Sequence, residues 1–111
     1  MRIDFGQALC GFDGKPLWDG AAPNEGEEGK TIALATVCIN ALMADLESDR
    51  SAAGEEKVDR WHLAQRIFAA NEAGEPLELK ATDVVLIQDR VGKAFGAAIV
   101  APAFALLDAT E

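Results

Sequence analysis

The chain has few of the side chains that carry most enzyme chemistry. Its 111 residues include one histidine, two cysteines and no tyrosine. The cysteines, Cys10 and Cys38, lie far apart and belong to no CxxC or Cys/His cluster, so they form no recognisable metal or redox motif. We therefore expect no catalytic site, no cofactor and no metal ion, and we interpret the protein as a non-enzyme.

Basic residues are also few, since 10 Lys and Arg stand against 19 Asp and Glu, a formal net charge of −9. Affinity for nucleic acid depends on Lys and Arg that displace counterions, and anionic membranes likewise attract basic segments. The charge thus argues against direct binding to nucleic acid or to a membrane surface. It is compatible with a basic protein partner, with a cation, or with solubility alone.

Export and membrane signals are missing from the sequence as well. No apolar run reaches the roughly 18 residues of a membrane helix, and acidic and turn-forming residues occupy the N-terminal stretch where a signal peptide would be apolar. The prediction is a cytoplasmic protein with both cysteines reduced. A disulfide between Cys10 and Cys38 stays open as the alternative.

What the chain does contain is an ordinary globular composition, with 50% hydrophobic and 26% charged residues. This length suits one domain, residues 1–111, with a core of its own. We predict an α+β fold that is mostly α. A β-hairpin over 1–18 and an acidic loop over 19–30 precede a bundle of about four helices over 31–108.

The hairpin prediction rests on alternation and on one turn. Ile3 and Phe5 alternate with polar residues, as in a half-buried strand. Asp13-Gly14 then suits a tight turn, and residues 16–18 would return along the first strand.

Apolar periodicity predicts helices over 31–46, 54–72, 82–95 and 97–108, with a short strand at 75–79. Thr31 is the expected N-cap of the first helix. That helix is apolar on nearly all sides, which is typical of a central, buried helix. In the second helix we expect Val58, Trp61 and Phe68 to face the core with either Ala64 or Gln65, flanked by Leu63, Ile67 and Ala70.

Few residues are candidates for chemistry. His62 has Asp59 three residues before it and no nucleophile nearby, which favours a surface histidine. Cys38 falls in the buried stripe of the first helix, and Cys10 near the turn is expected to be exposed. A small enzyme that uses His62 or Cys10 is a remote alternative.

The candidate interface residues are Trp18, Glu55, Glu56 and Asp59. Trp18 lies at the predicted hairpin edge, and tryptophan is enriched at interface hot spots, although a core role is the simpler reading. The three acids belong to a cluster over 45–59. Acidic clusters raise a second hypothesis, an inhibitor that mimics DNA and occupies a nucleic-acid-binding protein.

Several short stretches, taken in order, resemble a family of small, mostly uncharacterised proteins of tailed bacteriophages and prophages. They are Met1–Phe5, Phe12–Leu17, Val37–Leu42, Gly54–Lys57, Leu63–Ile67, Leu77–Leu79, Ile87–Phe95 and Leu106–Leu107. Where the family pattern often has a helix-capping threonine, this chain has Lys80. The resemblance implies a phage or prophage origin, and it brings no catalytic or binding residues because the shared positions are core and turn positions.

Together these observations predict a non-enzymatic phage or prophage accessory protein that acts through protein–protein contacts, in virion assembly or in regulation. Its partner would be another protein or a second copy of the same chain. The expected location is the cytoplasm of the bacterial host or the virion itself.

Overall fold

The computed structural model describes residues 1–18 and 29–108, and it confirms the mostly α, α+β fold class. Most of the described chain lies in helices, and two short strands form a small antiparallel sheet. In chain order the elements are β1 (Arg2–Ile3), α1 (Leu34–Met43), a 3-10 turn (Glu47–Ser51), α2 (Gly54–Ala73), β2 (Leu77–Glu78), α3 (Ala81–Ala94) and α4 (Ala97–Asp108). Of the predicted acidic loop only residues 29–30 lie inside the described residues.

Helix α1 is the centre of the fold, as its composition predicted. It packs against each of the other three helices. Its buried side chains lie on more than one face, because a helix between several neighbours has little surface left for water. They are Leu34, Ala35, Val37, Cys38, Ala41 and Leu42.

Helix α1 is shorter than the predicted 31–46, and the prediction of Thr31 as its N-cap was wrong. Thr31 lies in an extended segment and bridges to Trp18, and Ala33 occupies the N-cap position without a side-chain hydrogen bond. The first helical amides donate instead to backbone carbonyls of the N-terminal segment, Leu34 to Gln7 at 2.8 Å and Ala35 to Phe5 at 2.9 Å. Tertiary contacts thus replace the side-chain cap.

The N-terminal strand does not pair with residues 16–18, which corrects the predicted hairpin. β1 pairs with β2, Arg2 opposite Glu78 and Ile3 opposite Leu77. The chain turns directly after β1, where the Asp4 carboxylate accepts the Gly6 amide at 2.9 Å, and such Asx turns end a strand.

The predicted turn itself is present, with Gly14 at φ 75°. It joins a shorter hairpin than expected, in which the Leu17 amide donates to the Leu9 carbonyl at 2.8 Å. The return segment then meets residues 31–32, since the Ile32 amide donates to the Leu17 carbonyl at 2.9 Å. Residues 16–18 therefore lie between two neighbouring segments and not beside β1.

The observed bounds of α2, α3 and α4 agree with the bounds predicted from the sequence to within about a residue. Gly74 ends α2 in the left-handed region, at φ 68°, and its amide donates to the carbonyls of Ala70 and Asn71. At the start of α3 the Asp83 carboxylate accepts the Lys80 amide at 3.3 Å, and the Lys80 carbonyl accepts the Asp83 amide at 3.0 Å. These two bonds pair the backbone groups of Lys80 with Asp83 at the helix start, without a side-chain cap from Lys80.

Replacing Gly74 by alanine is expected to lower the free energy of unfolding by about 1 kcal/mol, because a Cβ is strained at this positive φ. Gly54 is the matched control. It lies at the start of the same helix, has no positive φ, and has open space around it, so Gly54→Ala is expected to be neutral or stabilising by about 0.5 kcal/mol. Urea unfolding of both variants would show this difference in midpoint, and equal midpoints would contradict it.

Candidate interaction surface

Helix α2 presents a different face to the core from the predicted one. Its buried residues are Leu63, Ala64 and Ile67. The residues expected in the core, Val58, Trp61 and Phe68, are exposed by 51%, 47% and 56%. That part of the prediction was wrong: α2 carries two apolar stripes, and only one of them packs against α1.

A buried ion cluster beside α1 lies on the same side of α2 as its buried stripe. Asp49, in the 3-10 turn, accepts Arg60 of α2 at 2.9 Å and Arg90 of α3 at 2.6 Å, both through Oδ1. Its other oxygen accepts the Leu46 amide at 2.8 Å. Arg60, Leu63 and Ile67 share one side of α2 by helical spacing, so the contact with Asp49 agrees with the inward direction of the Leu63–Ile67 stripe.

Sequence reasoning missed this cluster, although one signal for it was present. Arg90 lies three residues after Ile87 and one before Val91, both fully buried. A charged residue inside an apolar stripe indicates a buried partner of opposite charge. Asp49 lies in the segment that the sequence marked only as a break between helices.

The cluster sets the ionisation of Asp49. The hydrogen bond from Arg90 and then that from the Leu46 amide hold the pKa of Asp49 well below its usual range, against the opposing effect of burial. A carboxylate with a lowered pKa in the folded state stabilises the fold at pH values above its unfolded pKa of about 3.9. That stabilisation is lost as the pH falls below this value toward the folded pKa.

Asp49→Asn is therefore expected to flatten the pH dependence of stability in acid. At neutral pH the variant should have a lower free energy of unfolding than the wild type. The difference between the two free energies should become smaller as the pH falls below about 4. Urea midpoints measured between pH 7 and pH 3 test this. Asp89→Asn is the control, because Asp89 pairs with Lys93 on the exposed face of α3 at 3.1 Å, and its curve should run parallel to the wild type. A parallel curve for Asp49→Asn would contradict the prediction.

The outward stripe of α2 forms one wall of an apolar groove. The groove has a volume of about 430 Å³, and α1 supplies its other wall. Its lining is Ile39, Met43, Trp61, Ala64, Gln65, Phe68 and Ala69. Met43 is itself 50% exposed, so large apolar side chains on both walls meet solvent. Contiguous exposed apolar surface of this kind marks interaction sites in soluble proteins.

The structure places the predicted interface residues in two different regions. Trp18 is exposed, in the extended segment beside Thr31, and does not line the groove. Glu55, Glu56 and Asp59 are exposed on the first turns of α2, the helix that carries Trp61. Along the helix axis these three acids span about 6 Å. The DNA-mimic hypothesis, which needs a longer row of carboxylates, stays a prediction.

The residues considered for catalysis lie on different elements of the fold. His62 is exposed on α2, with its ring 5.7 Å from that of Trp61. Cys10 is exposed near the turn, whereas Cys38 is buried in α1 and burial raises the pKa of its thiol to about 12. Within residues 1–18 and 29–108, no three His, Cys, Asp or Glu side chains come close enough together to hold a metal ion.

The segment after α1 and the start of α2 carry more exposed acidic than basic side chains. Five carboxylates there are exposed: Asp45, Glu47, Glu55, Glu56 and Asp59. In the same stretch Arg50 and Lys57 are the exposed basic residues, because Arg60 is directed to Asp49. None of the five carboxylates belongs to the lining of the groove.

Comparisons with known proteins identify no relative, since no protein family, no curated protein and no solved structure matches this chain. Within the described part of the chain, none of the helices is both long and apolar enough to cross a membrane.

Proposed function

We propose that this protein is a non-enzymatic accessory protein of a bacteriophage or prophage that acts through protein–protein contacts, in virion assembly or in regulation. The observation that carries the proposal is the apolar groove between α1 and α2. The phage-like sequence pattern supports the origin, and the acidic surface favours a protein partner over nucleic acid.

The groove has the right chemistry for an interaction site. Met43, Trp61 and Phe68 line the groove and are each about half exposed, so a partner seated there would remove apolar surface on both walls from water. Association itself costs about 4–15 kcal/mol, so polar contacts must reinforce the burial of these side chains.

Complementation in the strain that carries the gene tests the proposal. After deletion of the gene, plasmid copies of three forms are compared for phage yield and lysogeny frequency: the wild type, the groove variant (Trp61→Ser with Phe68→Ser) and the control Val85→Ser. Val85 is 64% exposed on α3 and does not line the groove, so its substitution removes exposed apolar area away from the groove. The wild type and Val85→Ser are expected to restore function, and the groove variant is not.

The result for the groove variant decides the proposal. Restoration by the groove variant would show that the groove is not the functional surface and would overturn the proposal. Circular dichroism and urea unfolding establish beforehand that all three proteins are folded. Proximity labelling from the N-terminus in the same strains then identifies the proteins whose association depends on Trp61 and Phe68.

A further inference from the structure

We propose that the occupant of the groove is a second copy of this chain, whose α2 lies antiparallel to α2 of the first copy about a two-fold axis. The inference rests on the proposed function and specifies the partner. It starts from the order of side chains along the outward stripe of α2, because this order is complementary to itself when the helix is reversed.

Two residues of opposite charge flank the aromatic residues of the groove. Lys57 lies four residues before Trp61, and Glu72 lies four residues after Phe68. Each is therefore one helical turn beyond a groove residue and on the same side of α2. Around the helix axis Lys57 and Glu72 lie about 40° and 20° from Trp61, whereas the other charged residues of α2 lie at least about 100° away. The outward stripe thus has one basic end and one acidic end.

The mirrored spacing lets two copies of this stripe pair in the antiparallel sense. With the two-fold axis midway between Trp61 and Phe68, each Trp61 meets Phe68 of the other copy. In the same register Lys57 meets Glu72 of the other copy at both ends of the contact. A parallel pair would instead place Lys57 beside Lys57 and Glu72 beside Glu72, which is repulsive. The charges therefore select the antiparallel orientation, and a two-fold contact of this kind closes as a dimer.

Within a single copy these two charges make no ion pair. Among the ion pairs of the described residues, none includes Lys57 or Glu72. Glu72 also lies in the last turn of α2, where a carboxylate opposes the helix dipole. In the antiparallel pair the same carboxylate lies beside the first turns of the other α2, where negative charge is favourable. The second copy thus supplies what Glu72 lacks in the monomer.

The net negative charge of the chain acts mainly away from this stripe. Glu56 and Asp59 lie about 140° and 160° from Trp61 around the helix axis, so they are directed away from the other copy. Charges farther apart than about 8 Å are largely screened at physiological ionic strength. The net charge of −9 on each chain therefore adds a screened, general repulsion, while the two end pairs act at close range.

Sedimentation equilibrium of the full chain and its charge variants tests the proposal. We expect the wild type to form a dimer and the groove variant to be monomeric at the same concentrations. Glu72→Lys brings two lysines together at both ends of the contact, so the dimer dissociation constant should rise by about tenfold or more. An equimolar mixture of Glu72→Lys and Lys57→Glu should recover the dimer, because opposite charges then meet at both ends. A mixture no more dimeric than its components would overturn the pairing.

Glu55→Lys is the matched control for Glu72→Lys. It changes the net charge by the same amount on the same helix, but the exposed Glu55 lies about 120° from Trp61. If the net charge alone controlled association, both variants would strengthen the dimer equally. We expect only Glu72→Lys to weaken it, and equal dissociation constants for the two variants would contradict the antiparallel contact. Circular dichroism and urea unfolding establish beforehand that each variant is folded.

The results separate the inference from the proposed function. A wild type that stays monomeric up to about 1 mM would overturn the second copy as the occupant. Failure of the groove variant in complementation would then still support the groove as the functional surface. A dimer that the groove variant retains would overturn the groove as the site of self-association. A dimer lost in the groove variant, with full complementation by that variant, would support the dimer contact and overturn the proposed function.

Discussion

Arg90→Met is expected to lower the free energy of unfolding by about 3 kcal/mol. The Arg90 guanidinium is 3% exposed on its side chain and makes three hydrogen bonds that methionine cannot replace. Nη1 donates to Asp49 at 2.6 Å, Nε to the Ala41 carbonyl at 3.1 Å and Nη2 to the Ala44 carbonyl at 2.6 Å. Methionine fills much of the volume but leaves two backbone carbonyls at the end of α1 without a donor.

The expected loss lies at the lower end of the range for breaking a buried ion pair because Arg60 remains beside Asp49. Removal of one partner from such a pair costs about 3–5 kcal/mol when nothing compensates for the charge left behind. For a chain of this size a loss of 3 kcal/mol corresponds to a fall of about 2 M in the urea midpoint. It is also a large share of the roughly 5–15 kcal/mol that stabilises a typical domain.

Lys93→Met is the matched control for Arg90→Met. Lys93 lies on the same helix, and its pair with Asp89 is half exposed on both side chains. An exposed pair contributes about 0–1 kcal/mol, so this variant should unfold close to the wild-type midpoint. If both methionine variants unfolded at the same midpoint, the buried cluster would contribute no more to stability than the exposed pair does.

The fold class and the four helices could be predicted from the sequence because they depend on local patterns. Apolar periodicity places α2, α3 and α4 to within about a residue, and Gly74 marks the end of α2 correctly. The start of α1 could not be predicted in this way. Its first amides are satisfied by the Gln7 and Phe5 carbonyls, and no local rule reports a contact between segments so far apart in the chain.

The candidate site could not be predicted from the sequence, for a related reason. Both stripes of α2 are apolar, and periodicity cannot say which of two stripes faces the core. The larger aromatic residues made the Trp61–Phe68 stripe the natural choice for the core. The smaller Leu63–Ile67 stripe packs against α1 instead, and Arg60 is directed toward Asp49. The acidic residues around Glu55, by contrast, were correctly expected at the surface, because charged side chains are seldom buried without a partner.

Trp61→Ala is expected to weaken the binding of a groove partner identified by proximity labelling by about 30-fold or more, which corresponds to about 2 kcal/mol or more. Trp61 is the largest side chain that lines the groove. Tryptophans dominate binding at many interfaces when a partner excludes water around them. In the unbound protein the same indole ring is 47% exposed, so its loss should lower the free energy of unfolding by no more than about 1–2 kcal/mol.

Ile67→Ala in the buried stripe of α2 should show the reverse pattern. Ile67 is fully buried, and its truncation leaves a cavity that costs about 2–5 kcal/mol of stability. Below its unfolding transition this variant should still bind the groove partner within about threefold of the wild type, since Ile67 does not line the groove. Calorimetric titrations with that partner and urea unfolding give the affinity and the stability of each of the two variants. If Trp61→Ala proved as destabilising as Ile67→Ala, Trp61 would belong to the core, and α2 would face α1 as its sequence pattern first indicated.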